Sequence, residues 1–252
     1  MTETQHALRL DRIRETARGP LQALAEQLHA GVHDNLRSVT VVGSALTDDF
    51  KPGVSDINTV VVLDRHSTPS LSFLAALAKS LRRQRLAVPL LVTASYIDRS
   101  RDVFGIEFLD FQLVHETIFG DDPFAPLRFD KRHVRLQCER ELKALLVKMQ
   151  QGYIEVGGDP RYVREEVIAA TKELAPLLRA MLWLKDVERP RTMTASLLKA
   201  AEHFNVELNA AIDTDRWRSE RRRLSAAEVE AGFEDVFAAA DRLSRIIDEF
   251  EL

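Results

Sequence analysis

From Lys131 onward the chain offers no segment that reads as a β-strand, and the change of character falls near Pro123–Asp130. Residues 132–153, 160–187, 194–204 and 225–250 each repeat apolar side chains at helical spacing, with breaks at 157–159, 188–191 and 211–217. Before Pro123 the pattern is different. Apolar, β-branched runs at 38–42, 57–63 and 88–93 have strand length, and the helical pattern of 70–86 separates the second from the third. A chain of 252 residues with such a switch suits one large domain or two ordinary ones. The expectation is an α/β (α+β) domain with a mixed sheet over residues 1–125, followed by an all-α helical bundle over residues 126–252.

Local signals fill in this outline. Leu8, Leu10, Ile13 and Ala17 form a loose apolar stripe that Gly19-Pro20 interrupts. Pro20 can open a second helix, with Leu21, Leu24 and Leu28 on its buried face, because a proline in the first turn loses no bond. The aromatic-rich stretch 105–113 fits either helix or strand. Residues 114–119 run into Gly120, which reads as a helix C-cap glycine. Ser225 followed by Glu228 is an N-terminal capping box.

Composition excludes several classes of function. Net charge is −4, so no global basic field points to nucleic acid. The basic runs Arg82-Arg83-Gln84-Arg85 and Arg221-Arg222-Arg223 both sit in helical patterns, where a solvated face is the ordinary reading. A single cysteine, Cys138, excludes an internal disulfide framework and a multi-cysteine zinc site. Its place in a helical pattern marks it as a core thiol. His115 and His133 lack a third ligand at a recognisable spacing. No segment approaches the roughly 18 apolar residues of a membrane span, and the polar start is unlike a signal peptide. A cytoplasmic protein without membrane contact is expected.

One stretch carries chemistry. The apolar run 38–42 ends at Gly43-Ser44, and the next apolar run is entered through Asp56-Ile57-Asn58. A phosphate-binding turn needs exposed backbone N–H groups and a small residue that lets phosphate oxygens approach. Gly43-Ser44 meets both needs, and Ser44 adds a hydroxyl donor. Asp56 and Asn58 stand at i and i+2, so on one strand their side chains share a face.

This pattern resembles the nucleotidyltransferase superfamily, of polymerase beta-like or minimal nucleotidyltransferase type. The features that match are an apolar strand, Gly43-Ser44, eleven intervening residues, and Asp56-Ile57-Asn58 opening a second apolar strand. The resemblance covers roughly residues 35–122, and the helical half is similar to the C-terminal bundle of aminoglycoside-type and minimal members. It implies that Gly43 and Ser44 hold the phosphates of a nucleoside triphosphate. It also implies that Asp56 and Asn58 are the catalytic pair and bind Mg²⁺. The helical half would then select a small-molecule or protein acceptor.

Two departures limit that expectation. The second acidic position is an amide, Asn58, which offers a neutral oxygen but no charge. The third carboxylate of the superfamily is expected on the strand at 88–93, which has no acid; Thr93 or Ser95 stands in its place. Glu107 is a candidate replacement metal ligand, and Asp110 a second, although Glu107 also reads as a plain helix-start or strand-edge carboxylate. Three functions therefore stay open. The protein transfers a nucleoside monophosphate to a hydroxyl, or binds a nucleotide without turnover as a sensor, or pairs with a protein partner in the manner of an antitoxin. In each nucleotide-binding case, Mg²⁺ and triphosphate are expected to enhance each other's binding, since the triphosphate supplies missing anionic ligands.

Overall fold

The structure, a computed structural model, describes residues 8–219 and 224–251. The basic run at 221–223 lies outside them. The chain divides into two compact units, one of Met1–Phe104 with Phe108–Arg128, the other of Gly105–Glu107 with Phe129–Leu252. The fold class is the one expected, a mixed-sheet α/β part followed by helices alone.

The first unit is built on four strands, β1 (Leu36–Val42), β2 (Asn58–Leu63), β3 (Leu90–Thr93) and β4 (His115–Gly120), in the order β3-β2-β1-β4. β1 runs antiparallel to both β2 and β4, and β2 runs parallel to β3. Helices α1 (Glu15–Val32), α2 (Thr68–Arg83), α3 (Ala94–Arg99) and α4 (Gly105–Leu113) accompany the strands. Val39, Val41, Val61 and Leu63 share one sheet face and join a core with Leu21, Leu24 and Leu28 of α1 and Leu74 and Leu81 of α2. Val42, Val60 and Val62 on the opposite face are buried as well. Burial on both faces is why β1 and β2 read as continuous apolar runs rather than alternating ones.

Three local expectations change. Pro20 lies inside α1 and does not start a second helix. Its missing N–H gives up one bond at a cost of about 3 kcal/mol. Full burial of Ala17, Leu21 and Leu28 outweighs that cost, at roughly 1.5–3 kcal/mol for each leucine. Residues 115–120 form a strand, not the end of a helix. Val42 pairs with His115, and the Thr40 and Thr117 hydroxyls are 2.9 Å apart in the buried layer. The outer edge of β4 is bonded by the incoming chain, through Arg9 N–H to the Ile118 carbonyl at 2.9 Å and Arg9 Nε to the Thr117 carbonyl at 3.0 Å. The ambiguous stretch 105–113 is α4, whose Phe108 packs beside Phe104, Phe111 and Phe124.

The second unit contains α5 (Lys131–Glu155), α6 (Pro160–Leu184), α7 (Met193–Phe204), α8 (Asn209–Ser219) and α9 (Ala226–Asp248). The third change is α8, which spans a segment read from sequence as a break. Its Trp217 lies against Gly232 of α9, where an added Cβ would come within 2.3 Å of the indole. Packing onto a glycine notch overrides weak local propensity. Helix starts are capped as their residues demand: Asp130 accepts the Arg132 N–H at 2.8 Å, and the Ser225–Glu228 box is present in full. Cys138 is buried, and burial pushes its thiol pKa far up, so it is a core residue and no nucleophile. Among the described residues, no helix is long and apolar enough to cross a membrane.

Among the described residues, one buried side-chain group is unpaired. Thr59 of β2 is 3% exposed on the packed face, and its hydroxyl has no hydrogen-bond partner. Thr59→Val keeps the shape and removes the orphan oxygen. It is expected to stabilise the fold by about 1 kcal/mol, read as a melting temperature higher by about 2–4 °C. A lower melting temperature would show that the hydroxyl has a partner in solution.

Candidate functional site

The turn after β1 is positioned from outside. Gly43 adopts φ +74°, which only glycine takes easily, and opens a single 3₁₀ turn, Gly43–Leu46. Arg14, at the start of α1, fastens that turn. Its guanidinium donates to the Ala45 carbonyl at 2.8 Å and to the Thr47 carbonyl, and lies 4.8 Å from the centre of the Phe50 ring. The Thr47 N–H in turn donates to the Ser44 carbonyl at 3.0 Å. The Gly43 N–H is bonded to the Val114 carbonyl at 3.2 Å, so it is not the phosphate donor that the sequence suggested. Ser44 is half-buried, and its hydroxyl is the side-chain donor this turn offers.

Asn58 is the first residue of β2, paired across from Val42, and it is exposed. Its amide lies against the turn: a Cβ built on Gly43 would sit 3.8 Å from Asn58 Nδ2. Asp56 precedes the strand. Between the two, Ile57 bridges to Leu86, with the Ile57 N–H bonded to the Arg85 carbonyl at 2.7 Å. That bridge brings Arg85 to Asp56, with Nη1 at 3.4 Å from the carboxylate and Nη2 at 2.6 Å from the Gly53 carbonyl. With the two side chains 52% and 56% exposed, the pair itself stabilises by only about 0–1 kcal/mol.

Other sequence candidates have partners of their own. Glu107 lies in α4 and accepts from Gln137 Nε2 at 2.9 Å, while Gln137 Oε1 accepts the Ile106 N–H at 3.1 Å. Glu107 is thus tied to a glutamine of α5. Thr93 and Ser95, standing where a third carboxylate was sought, start α3: the Thr93 hydroxyl accepts the Tyr96 N–H at 3.1 Å and contacts Ser95 Oγ at 3.1 Å. None of the four residues of β3 is acidic. His115 pairs with Asp122 at 2.9 Å. Burial alone would raise the Asp122 pKa, but hydrogen bonds from His115 and from the Phe124 and Ala125 N–H groups outweigh it and hold the carboxyl below its ordinary value.

This donor set does not fit a two-ion Mg²⁺ centre. Such a centre needs several anionic oxygens to offset the repulsion between the ions. The motif itself supplies one carboxylate, Asp56, already paired with a guanidinium, and one neutral amide, Asn58. Among the described residues, no group of three or more His, Cys, Asp or Glu is arranged to hold a metal ion.

Arg85 and Arg14 are the residues that sequence reading missed. Arg85 belongs to a basic run taken for a solvated helix face, yet α2 stops at Arg83 and Arg85 has φ +58°. An L-residue in that region costs roughly 1–2 kcal/mol. The hint in the sequence is an arginine four residues after Leu81 and three before the apolar run at 88–93.

No protein-family model matches the chain, and no curated protein matches it in sequence. Among solved structures it is similar to a spectinomycin adenyltransferase, AAD(9), from Enterococcus faecialis, solved with ATP and spectinomycin. The two share 12% identity, with a TM-score of 0.57 over 89% of this chain and 99% of the other. At that identity the likeness is one of fold, and the fold is that of a nucleotidyltransferase with a helical part.

Proposed function

We propose that this protein is a nucleotide-binding member of the nucleotidyltransferase fold class, with a catalytic frame that has lost its metal-dependent transfer chemistry. Asp56 carries the proposal: the one carboxylate of the motif is held by Arg85, beside an amide and next to a strand without acids. The turn at Gly43-Ser44 would receive the phosphates of a nucleoside triphosphate. Ser44 would donate its hydroxyl, and the Asn58 amide would donate where a carboxylate would repel. Arg14 would keep the turn in place through its carbonyls. The fold shared with a structure that contains ATP supports the choice of ligand. Within the motif, Asp56 is held by Arg85 and Asn58 is a neutral amide, so neither is a ready general base for an acceptor hydroxyl.

Titration calorimetry with ATP, paired with a pyrophosphate-release assay, tests this. Expected are saturable ATP binding and no release of pyrophosphate above the rate without protein, with Mg²⁺ present. Protein-dependent pyrophosphate release would restore the enzyme reading. Absence of ATP binding with and without Mg²⁺ would remove the nucleotide.

A further inference from the structure

Arg85 combines a left-handed backbone with a long cationic side chain. α2 ends in two bonds that wrap its last turn, Arg85 N–H to the Arg82 carbonyl at 3.2 Å and Leu86 N–H to the Leu81 carbonyl at 3.0 Å. This ending places one residue in the left-handed region, and that residue is commonly glycine. Here it is an arginine at φ +58°. The next residues return to the sheet, with Leu86 bridged to Ile57 and the Ala87 N–H bonded to the Ile57 carbonyl at 3.0 Å. The guanidinium therefore emerges at the entry to β2, two residues from Asn58. It grips the loop at the Gly53 carbonyl and the carboxylate of Asp56.

A guanidinium has five N–H donors in a planar fork. The two bonds to Gly53 and Asp56 use two of them. Three remain, in a group whose geometry matches two phosphate oxygens at once. We propose that Arg85 is the cation of this site, binding a polyphosphate directly in place of a divalent ion, and that Asp56 aims the guanidinium without ligating a metal. This rests on the nucleotide-binding reading above and adds the group that recognises the phosphates. It also accounts for the amide at position 58: one fixed positive charge beside one carboxylate is balanced, and a second carboxylate would compete with the ligand.

The consequences differ in sign from those of a metal site. If Asp56 held an ion, its removal would abolish nucleotide binding and EDTA would mimic the loss. If Asp56 only aims Arg85, Asp56→Ala loosens the guanidinium but also removes a charge that repels phosphate, so affinity falls only partly and the remaining binding is unaffected by EDTA. Arg85→Gly suits φ +58°, so the variant is expected to melt no lower than the wild type while losing about 10–100-fold in affinity. Arg85→Asn, which also tolerates this backbone, serves if glycine loosens the helix end.

The experiment is titration calorimetry of the full chain and the three variants with ATP and with inorganic triphosphate, each in EDTA and in Mg²⁺, with melting temperatures measured in parallel. Expected are EDTA-insensitive binding by the wild type, loss in both Arg85 variants, and in Asp56→Ala a partial loss whose remaining binding EDTA does not change. Wild-type affinity in folded Arg85→Gly, or binding that EDTA and Asp56→Ala both abolish, would overturn the assignment. Binding of inorganic triphosphate but not ATP, lost with Arg85, would keep the guanidinium site and remove the nucleotide reading. A wild type that binds neither overturns both.

Discussion

Gly120→Ala is expected to cost the fold several kcal/mol, on the order of 3–5, and to lower the melting temperature by about 10 °C. Two effects add. Gly120 sits at φ +73°, where an alanine loses roughly 1–2 kcal/mol. The new Cβ would also lie 1.9 Å from the Arg37 carbonyl oxygen and 2.9 Å from Ser38 Cα, both backbone atoms with no rotamer to yield. Relief requires β4 to part from β1 where Ser38 pairs with Gly120. The Gly120 carbonyl, bonded to Arg9, would move with it. Gly53→Ala is the control. Gly53 has φ +76° and nothing within 4 Å of the added carbon, so only the conformational cost of about 1 kcal/mol applies. Thermal or urea unfolding of the two variants checks both values. Equal losses would mean that the strand end yields without breaking its pairing.

The second large effect is expected from Asn58→Asp, read as Mg²⁺ binding. A second carboxylate two residues from Asp56 would give a divalent ion two anionic oxygens at the mouth of the turn. In a dry site the added charge would strengthen binding by several kcal/mol. Both residues are exposed here, so a gain of about tenfold is the expectation. Calorimetry should show Mg²⁺ and ATP enhancing each other in the variant, as linkage requires of two ligands sharing one site. The wild type should show ATP binding unaffected by EDTA. Combining Asn58→Asp with Arg85→Gly should raise Mg²⁺ affinity further, since the competing guanidinium is gone. Unchanged Mg²⁺ affinity in both variants would mean that the two side chains do not share a ligand.

The large features of this chain follow from its periodicities. Sheet residues buried on both faces must be apolar throughout, so 38–42 and 57–63 could be nothing but central strands. The helical half announced itself in the same way, and so did the Ser225–Glu228 cap, because a capping box depends only on residues three apart. The frame of the candidate site was also legible: a glycine after one strand and a polar pair before the next put Gly43 beside Asn58.

What sequence alone could not decide were bonds between distant residues. Residues 115–120 have both helix-compatible and strand-compatible character, and pairing with β1 chose the strand. α8 depends on a glycine in α9 that leaves room for Trp217. The Gly43 N–H is consumed by Val114, some seventy residues away, and Arg14 fastens the turn from another helix. The role of Arg85 was the most hidden. Its place in a basic run follows from the letters, but its direction follows from a left-handed backbone angle and a bridge between Ile57 and Leu86. Local sequence sets the preference of each segment, while the partners of polar groups are set by which segments meet. In this protein the pairing of Arg85 with Asp56 and the Gly53 carbonyl is of that kind.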